Sequence, residues 1–242
     1  MTKGKKAAVI AAAIVLVLGL STTALGVYMY QNGNFRQIHP FTEPKDGQIK
    51  VACVGDSITY GAGIKGWKEN AYPVVLETLL GDKYCVNNFG YIGRTAQTDA
   101  DKPFTKEKLY QKSLDYKPDI VVLMLGSNDS KPYNWHGMEA FKAAYGEIVD
   151  SYLGLESKPE VYIVTPPPVF PYKGDKVWYD LDAGLISGDI TLAAKQLAEE
   201  KGLTLIDMNS VFDGRSDLFS DGAHPTAEGA KLFAETVFES IR

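Results

Sequence analysis

The sequence predicts an α/β protein with three α/β/α layers and a five-stranded parallel sheet. Short apolar runs recur along the chain, and longer stretches with helical periodicity separate them. Strands that alternate with helices in this way are typical of a parallel sheet covered on both faces. Once the N-terminal segment is set aside, about 200 residues remain, enough for one domain with a full-sized core.

The predicted elements follow from these runs in order. Strands are predicted at residues 50–54, 84–89, 120–125, 161–165 and 204–207. Helices are predicted at residues 72–80, 106–114, 138–153, 181–201 and 226–241. Glycines close several of the helical patterns, among them Gly81 and Gly202, as expected where a helix ends.

Residues 1–30 are predicted to be a membrane anchor or a signal peptide. Three lysines precede residues 7–30, a stretch of 24 residues without charge that is long enough to span a bilayer. The lysines are expected to stay cytoplasmic, which makes the rest of the chain extracytoplasmic. Ala24-Leu25-Gly26 offers a small-x-small cleavage site, so secretion after cleavage is the alternative.

Beyond the anchor, residues 31–48 are predicted to be a linker and residues 49–242 a catalytic domain. The linker carries Gly, Pro and polar residues without periodicity. Association with a membrane is predicted through the N-terminal segment only. The sequence does not predict the oligomeric state.

The charge and the cysteines exclude several classes of function. With the lysines of the anchor set aside, 22 Lys and Arg stand against 30 Asp and Glu, which gives residues 31–242 a charge of −8. Such a surface argues against nucleic-acid binding. Cys53 and Cys85 form no CxxC motif or Cys/His cluster, so no metal site is predicted. Burial as free thiols is favoured for both, with a disulfide as the alternative.

Polar residues directly after the predicted strands carry the chemistry, because ligands of open parallel sheets bind outside the carboxyl ends of the strands. Ser57 follows the first strand on a tight turn that can present a nucleophile. Asp221 and His224 lie three residues apart before the last helix. A serine hydroxyl needs a base to take its proton, and that base needs an acceptor to hold its tautomer. The predicted catalytic set is therefore Ser57, His224 and Asp221, with no cofactor.

The oxyanion of such a reaction requires preorganised donors. The backbone amides of Ser57 and Gly90 and the side-chain amide of Asn128 are predicted to supply them. Asp129, next to Asn128, is interpreted as an ordinary turn residue.

Other residues are assigned by their position in loops. Trp135 and His136 follow the third strand and are predicted to line the substrate pocket. His39 belongs to the linker and is expected to lie far from the sheet. Residues 61–66 match GxGxxG, but they do not stand at a junction of strand and helix, so a nucleotide site is not predicted.

Four blocks, GDS, NFG, GSND and DGAHP, occur in this order after the expected strands. Together they resemble the SGNH (GDSL) hydrolase superfamily over residues 49–242. The resemblance implies a flavodoxin-like fold, the nucleophile Ser57, the acid and base Asp221 and His224, and the oxyanion donors Gly90 and Asn128. More narrowly, the segments GDSITYGAG, GSNDSKPYNW and TPPPVF are similar to bacterial sialate O-acetylesterases and carbohydrate esterases.

The function implied by this resemblance is hydrolysis of short acyl esters, acetyl above all, on a carbohydrate through an acyl-serine. Esterases of lysophospholipids or thioesters and sugar O-acyltransferases use the same chemistry and are the alternatives. An inactive carbohydrate-binding protein is the alternative outside enzymes. The predicted partner is a small-molecule or glycan ester.

Overall fold

The five predicted strands form one parallel sheet in a computed structural model, which describes residues 39–242. The strands are β1 (Ile49–Gly55), β2 (Tyr84–Gly90), β3 (Ile120–Met124), β4 (Glu160–Val164) and β5 (Thr204–Ile206). Their order across the sheet is β2-β1-β3-β4-β5, and every neighbouring pair is parallel. The predicted fold class is confirmed.

The helices lie close to their predicted bounds. They are α1 (Ser57–Tyr60), α2 (Trp67–Asn70), α3 (Tyr72–Leu80), α4 (Lys108–Asp115), α5 (Met138–Leu153), α6 (Ala183–Leu185), α7 (Thr191–Lys201), α8 (Met208–Val211) and α9 (Ala227–Ile241). The pattern at 181–201 predicts one helix, but the chain kinks at Gly188 between α6 and α7, where the backbone leaves helical geometry.

Alternate residues of each strand face opposite layers of helices. Val51 and Cys53 of β1 pack into a core that includes α3 and α9, where the rings of Tyr72 and Phe233 stack with centroids 4.3 Å apart. Their neighbours in the strand face the core that includes α4, α5 and α7. Cys53 and Cys85 are both buried and free, as favoured by the sequence.

The sheet order sets the place of the site. The chain passes from β1 to β2 on one side and then returns to β3 on the other side of β1. A crevice opens between the carboxyl ends of β1 and β3 at such a reversal. Ser57 and Asn128 follow these two strands directly, so the topology brings both to this crevice.

The segment of residues 39–48 is docked onto the domain, and the expectation that His39 lies far from the sheet is wrong. The imidazole of His39 is buried, with Nε2 2.6 Å from the carbonyl oxygen of Tyr60. Thr42 and Asn87 of β2 exchange two hydrogen bonds of 2.9 Å. The segment thereby packs against β2, an edge strand of the sheet.

The predicted membrane span at residues 7–30 lies outside the described residues. Between residues 39 and 242, no helix has the length and apolar character needed to cross a membrane.

Candidate active site

The turn after β1 presents the hydroxyl of Ser57 at the edge of the sheet. Asp56 caps α1, because its Oδ1 accepts a hydrogen bond of 2.9 Å from the amide of Ile58. Gly55 permits this turn, since a Cβ there would collide with the carbonyl oxygen of Met124 and the side chain of Thr59. Ser57, 8% exposed, is therefore held as the first residue of a short helix.

His224 completes a hydrogen-bonded relay with Ser57 and Asp221. The hydroxyl of Ser57 donates to Nε2 of His224 at 3.0 Å, and Nδ1–H donates to Oδ2 of Asp221 at 2.8 Å. Asp221 is fixed in turn, since its Oδ1 accepts from the amides of Ala223 and His224 at 3.0 and 2.8 Å. The structure thus brings together the three predicted catalytic residues in the order that the chemistry requires.

The carboxyl group of Asp221 is held in its ionised form. Burial alone would raise its pKa, but the hydrogen bonds and the charge of His224, with a further hydrogen bond from Tyr179, hold the pKa well below its usual range. An ionised carboxylate at this position fixes the imidazole tautomer and stabilises the imidazolium that forms during attack.

Tyr179 is a site residue that the sequence did not reveal. Its hydroxyl donates to Oδ2 of Asp221 at 2.7 Å, and its ring meets His224 edge to face with centroids 5.2 Å apart. Burial and the neighbouring carboxylate raise the pKa of Tyr179, which keeps its hydroxyl protonated as a donor. The loop between β4 and α6 that carries it lacks periodicity, and its TPPPVF segment ends nine residues before Tyr179.

Two of the three predicted oxyanion donors lie at the pocket, and Gly90 does not. The amide of Gly90 donates to Oδ1 of Asn88 at 2.8 Å, and a Cβ on Gly90 would collide with the backbone of Tyr60. Gly90 is the last residue of β2, not the first residue after it, and its lack of a side chain lets α1 approach the strand. The prediction of Gly90 as a donor is therefore wrong.

Gly93, three residues later, lines the pocket with Ser57 and Asn128. Its φ of +80° is favourable only for glycine, and among residues 39–242 no acceptor binds its amide. The amide of Ser57 likewise has no acceptor in the part of the chain described. Both amides are available for a ligand.

Asn128 stands opposite, at the start of a single turn after β3. Its Nδ2 donates to the carbonyl oxygen of Arg94 at 3.2 Å and only weakly to Oδ2 of Asp56 at 3.4 Å. The adjacent Asp129 does more than close a turn, because its carboxylate accepts from the amides of Ala96 and Gln97 at 2.9 to 3.0 Å. Asp129 therefore ties the loop of Gly93 to the loop of Asn128.

The predicted pocket residues Trp135 and His136 do not line the pocket. Trp135 turns onto α5, where its ring lies 6.2 Å from that of Phe141. His136 lies toward solvent, with Nε2 3.6 Å from a carboxylate oxygen of Asp99. The interpretation failed because the chain makes a tight turn at Lys131, whose carbonyl accepts from two later amides and directs these side chains away.

The pocket itself is a cavity of about 170 Å³ at the carboxyl edge of the sheet. The apolar side chains of Ile92, Val169 and Leu181 form part of its wall, and Lys102 and Lys131 contribute two ammonium groups. Within residues 39–242, no group of three His, Cys, Asp or Glu side chains is placed to hold a metal ion.

The glycines of the GxGxxG match serve packing rather than a nucleotide. Gly61 ends α1 with a φ of +91°. A Cβ on Gly63 would lie 3.1 Å from the Cβ of His224, so its absence lets the histidine loop approach the nucleophile turn.

Comparison with known proteins assigns the class. Residues 53–232 match the model of the GDSL-like Lipase/Acylhydrolase family, and the chain belongs to that family. This membership confirms the resemblance seen in the motifs.

Two curated esterases are similar to this chain in sequence. An acetylxylan esterase of Xylanibacter ruminicola is 33% identical over 217 residues, which are 82% of this chain and 44% of the relative. A multidomain esterase of Ruminococcus flavefaciens is 27% identical and is matched over 81% of this chain and 28% of its own length. The chain thus spans less than half the length of these two curated relatives.

Solved structures share the fold. A carbohydrate acetylesterase family member of Sinorhizobium meliloti superposes with a TM-score of 0.65 at 25% identity, over 81% of this chain and 98% of the other. The native aryl esterase of M. smegmatis superposes with a TM-score of 0.65 at 22% identity, over 80% of this chain and 98% of the other, which demonstrates similarity of fold alone.

Proposed function

We propose that the protein is a serine esterase that removes acetyl groups from carbohydrates through an acyl-serine intermediate. The observation that carries this proposal is the continuous relay from Ser57 through His224 to Asp221, with bonds of 3.0 and 2.8 Å, at the rim of a cavity. A relay of this geometry activates a serine hydroxyl for attack on a carbonyl.

Each step has a residue to perform it. Oγ of Ser57 attacks the acetyl carbonyl carbon while Nε2 of His224 takes the hydroxyl proton. The imidazolium then gives this proton to the departing sugar oxygen, which leaves an acetyl-serine. A water molecule, deprotonated by the same nitrogen, attacks the acetyl-serine and releases acetate, and Ser57 recovers its proton.

The oxyanion in each tetrahedral intermediate is proposed to bind the amides of Ser57 and Gly93 and the side-chain amide of Asn128. The first two amides have no acceptor among the described residues, and one hydrogen of the Asn128 amide is only weakly bound. Loss of one such donor typically lowers kcat by about 10² to 10³.

The size of the cavity favours a short acyl group. A cavity of about 150 Å³ accommodates one benzene molecule. A volume of about 170 Å³ is therefore enough for an acetyl group with part of its alcohol, and it favours a short acyl group over a long chain. The acetylxylan esterase and carbohydrate acetylesterase relatives support a sugar as the alcohol. Catalysis by this set requires no cofactor.

Two measurements test the proposal: turnover of p-nitrophenyl acetate, butyrate and octanoate, and release of acetate from acetylated xylan. We expect activity to fall steeply beyond butyrate, and Ser57→Ala to lower kcat by about 10⁴-fold or more. Ser240→Ala, in α9 and away from the pocket, is the matched control. A preference for octanoate would favour a lipid esterase. Transfer of the acyl group to an added sugar would favour an acyltransferase, and absence of all turnover would favour a binding protein.

The place of action is proposed to be outside the cytoplasm, with residues 7–30 as anchor or cleaved signal. The lysines before an uncharged stretch of 24 residues support this proposal. If the domain is anchored, protease added to intact cells should digest it. If the signal is cleaved, the domain should be found in the medium. Protection in intact cells, lost on lysis, would place it inside.

A further inference from the structure

Lys131 is a largely buried residue whose ammonium group has no partner among the described residues. The residue is 8% exposed, and within residues 39–242 no hydrogen bond uses its Nζ and no carboxylate lies within ion-pair distance of it. Other lysines with shielded side chains are paired, as Lys142 is with Glu200 at 3.0 Å. The charge of Lys131 is thus left free to bind a ligand, although partial desolvation of an unpaired charge costs stability.

Lys131 faces the catalytic pocket. It lines the cavity together with Ser57, and its backbone is fixed there, since its carbonyl accepts from the amides of Asn134 and Trp135 at 2.8 and 3.0 Å. The side chain therefore extends from a rigid turn. Burial lowers the pKa of Lys131, whereas the more distant Asp101 and Asp180 oppose this shift.

A second cation, Lys102, lines the same cavity. Its side chain passes over Gly93: a Cβ on that glycine would lie 3.5 Å from Cδ and 3.9 Å from Nζ of Lys102. Lys102 also forms an ion pair with Asp101 at 3.4 Å, in which the side chains of Lys102 and Asp101 are 41% and 31% exposed. The charge of Lys102 thus lies beside the proposed oxyanion donor.

The charge of this cavity is opposite to that of the domain. No carboxylate is among the described residues that line it, although residues 31–242 carry a formal charge of −8. A cavity with two ammonium groups and no carboxylate is complementary to an anion. The acetyl ester is neutral, and the oxyanion formed from it already has amide donors in Ser57, Gly93 and Asn128. An anion in another part of the substrate would therefore use the two positive charges.

We propose that the substrate is an acetylated sugar that carries a carboxylate, and that Lys131, assisted by Lys102, binds this carboxylate. The inference rests on the proposed esterase function and extends it from carbohydrate esters in general to esters of acidic sugars. Lys131 is then a specificity-determining residue, which binds the alcohol part of the ester while the catalytic relay acts on the acyl part.

A matched pair of substrates tests the proposal on the full-length protein. The two are a mono-O-acetylated methyl glucuronoside and the methyl glucoside acetylated at the same position, which differ only in the carboxylate. We expect kcat/KM to favour the glucuronoside by about tenfold or more, through KM, because a hydrogen bond between charged groups contributes on this scale. The preference should weaken as ionic strength rises.

The variant Lys131→Met should abolish this preference, and Lys83→Met, which removes the same charge at an exposed position in the turn before β2, should keep it. Thermal unfolding gives a second readout: loss of an unpaired, partly desolvated charge should leave Tm unchanged or raise it. A structural lysine would lower Tm when replaced. Lys102→Met, on a more exposed side chain, should weaken the preference in part.

Equal kcat/KM for both sugars in the wild type, or a preference that survives in Lys131→Met, would overturn the proposal. If the protein hydrolyses no ester at all, p-nitrophenyl acetate included, the esterase function fails instead. Calorimetric titration with methyl glucuronoside and methyl glucoside then decides the inference separately. Selective binding of the glucuronoside that Lys131→Met abolishes would support it, and equal binding of the two would refute it.

Discussion

The hydroxyl of Tyr179 and Nδ1 of His224 both donate to the same carboxylate oxygen, Oδ2 of Asp221, at 2.7 and 2.8 Å. With the two backbone amides on Oδ1, all four contacts of this carboxylate come from the protein. Tyr179 and Asp180 also adopt left-handed backbone conformations, with φ of 65° and 57°. Such conformations persist in non-glycine residues where surrounding contacts enforce them.

Tyr179→Phe removes the hydroxyl and keeps the ring on His224. We expect kcat for p-nitrophenyl acetate to fall about tenfold, the scale of one hydrogen bond to a charged group, with little change in KM. The acid side of the kcat/KM profile should also move to higher pH, since Asp221 without this donor holds the imidazolium more strongly.

The control for Tyr179→Phe is Tyr110→Phe, which deletes a hydroxyl that donates to Ser151 at 2.8 Å, away from the pocket. It should change neither kcat nor the pH profile. If Tyr179→Phe lowers Tm and leaves the profile in place, Tyr179 supports the loop and does not position Asp221.

Gly93 and Gly90 should respond differently to alanine, and this difference tests which glycine serves the oxyanion. Gly93→Ala places a side chain at φ +80°, which costs about 1 kcal/mol and turns the amide away from its position. We expect kcat to fall by about 10² while Tm changes little. Gly90→Ala brings its Cβ onto the backbone of Tyr60, so its main effect should be a large loss of Tm.

Melting curves and p-nitrophenyl acetate kinetics of the two variants provide the comparison. A folded Gly90→Ala with lowered kcat, beside a Gly93→Ala with full activity, would reverse the assignment. Gly81→Ala is the control for backbone strain away from the active site, because Gly81 lies at a helix end with a φ of +74° and open space around it.

The motifs predicted the fold and the relay because those features depend on local sequence. Apolar runs set the strands to within a residue or two, and the residues after β1 and before α9 must meet at one edge once the sheet is parallel. Ser57, Asp221 and His224 follow from this geometry. The error at Gly90 arose from the end of β2, which lies one residue beyond the apolar run.

The rest of the site depends on contacts between distant loops, which no local pattern encodes. Tyr179 reaches Asp221 across 42 positions of the chain from a loop without periodicity. Lys131 lies in a segment used for the family resemblance, but its burial without a partner appears only in three dimensions. The polar composition around His39 suggested a linker, whereas its ring packs against Trp67 with centroids 4.5 Å apart.

The buried His39 makes stability depend on pH. Burial lowers its pKa to about 4, with Lys68 acting in the same direction and the carbonyl of Tyr60 opposing. The folded-state pKa thus lies below the ordinary value of about 6.5. The stabilisation is complete above that value and is lost as pH falls toward 4, because the unfolded chain binds the proton more readily.

Replacement of His39 by Gln removes this titration and keeps a donor for the carbonyl of Tyr60. From pH 7 to pH 4.5, the free energy of unfolding of the wild type should fall by about 2 kcal/mol more than that of His39→Gln. Asp56 and Asp129, whose pKa values burial raises, act in the opposite sense over part of this range. They are present in both proteins, so the difference between the two urea titrations isolates His39. His136→Gln, at a side chain that is 42% exposed, is the matched control. If the free energies of unfolding of the wild type and His39→Gln change in parallel with pH, that result would contradict the burial of a neutral imidazole.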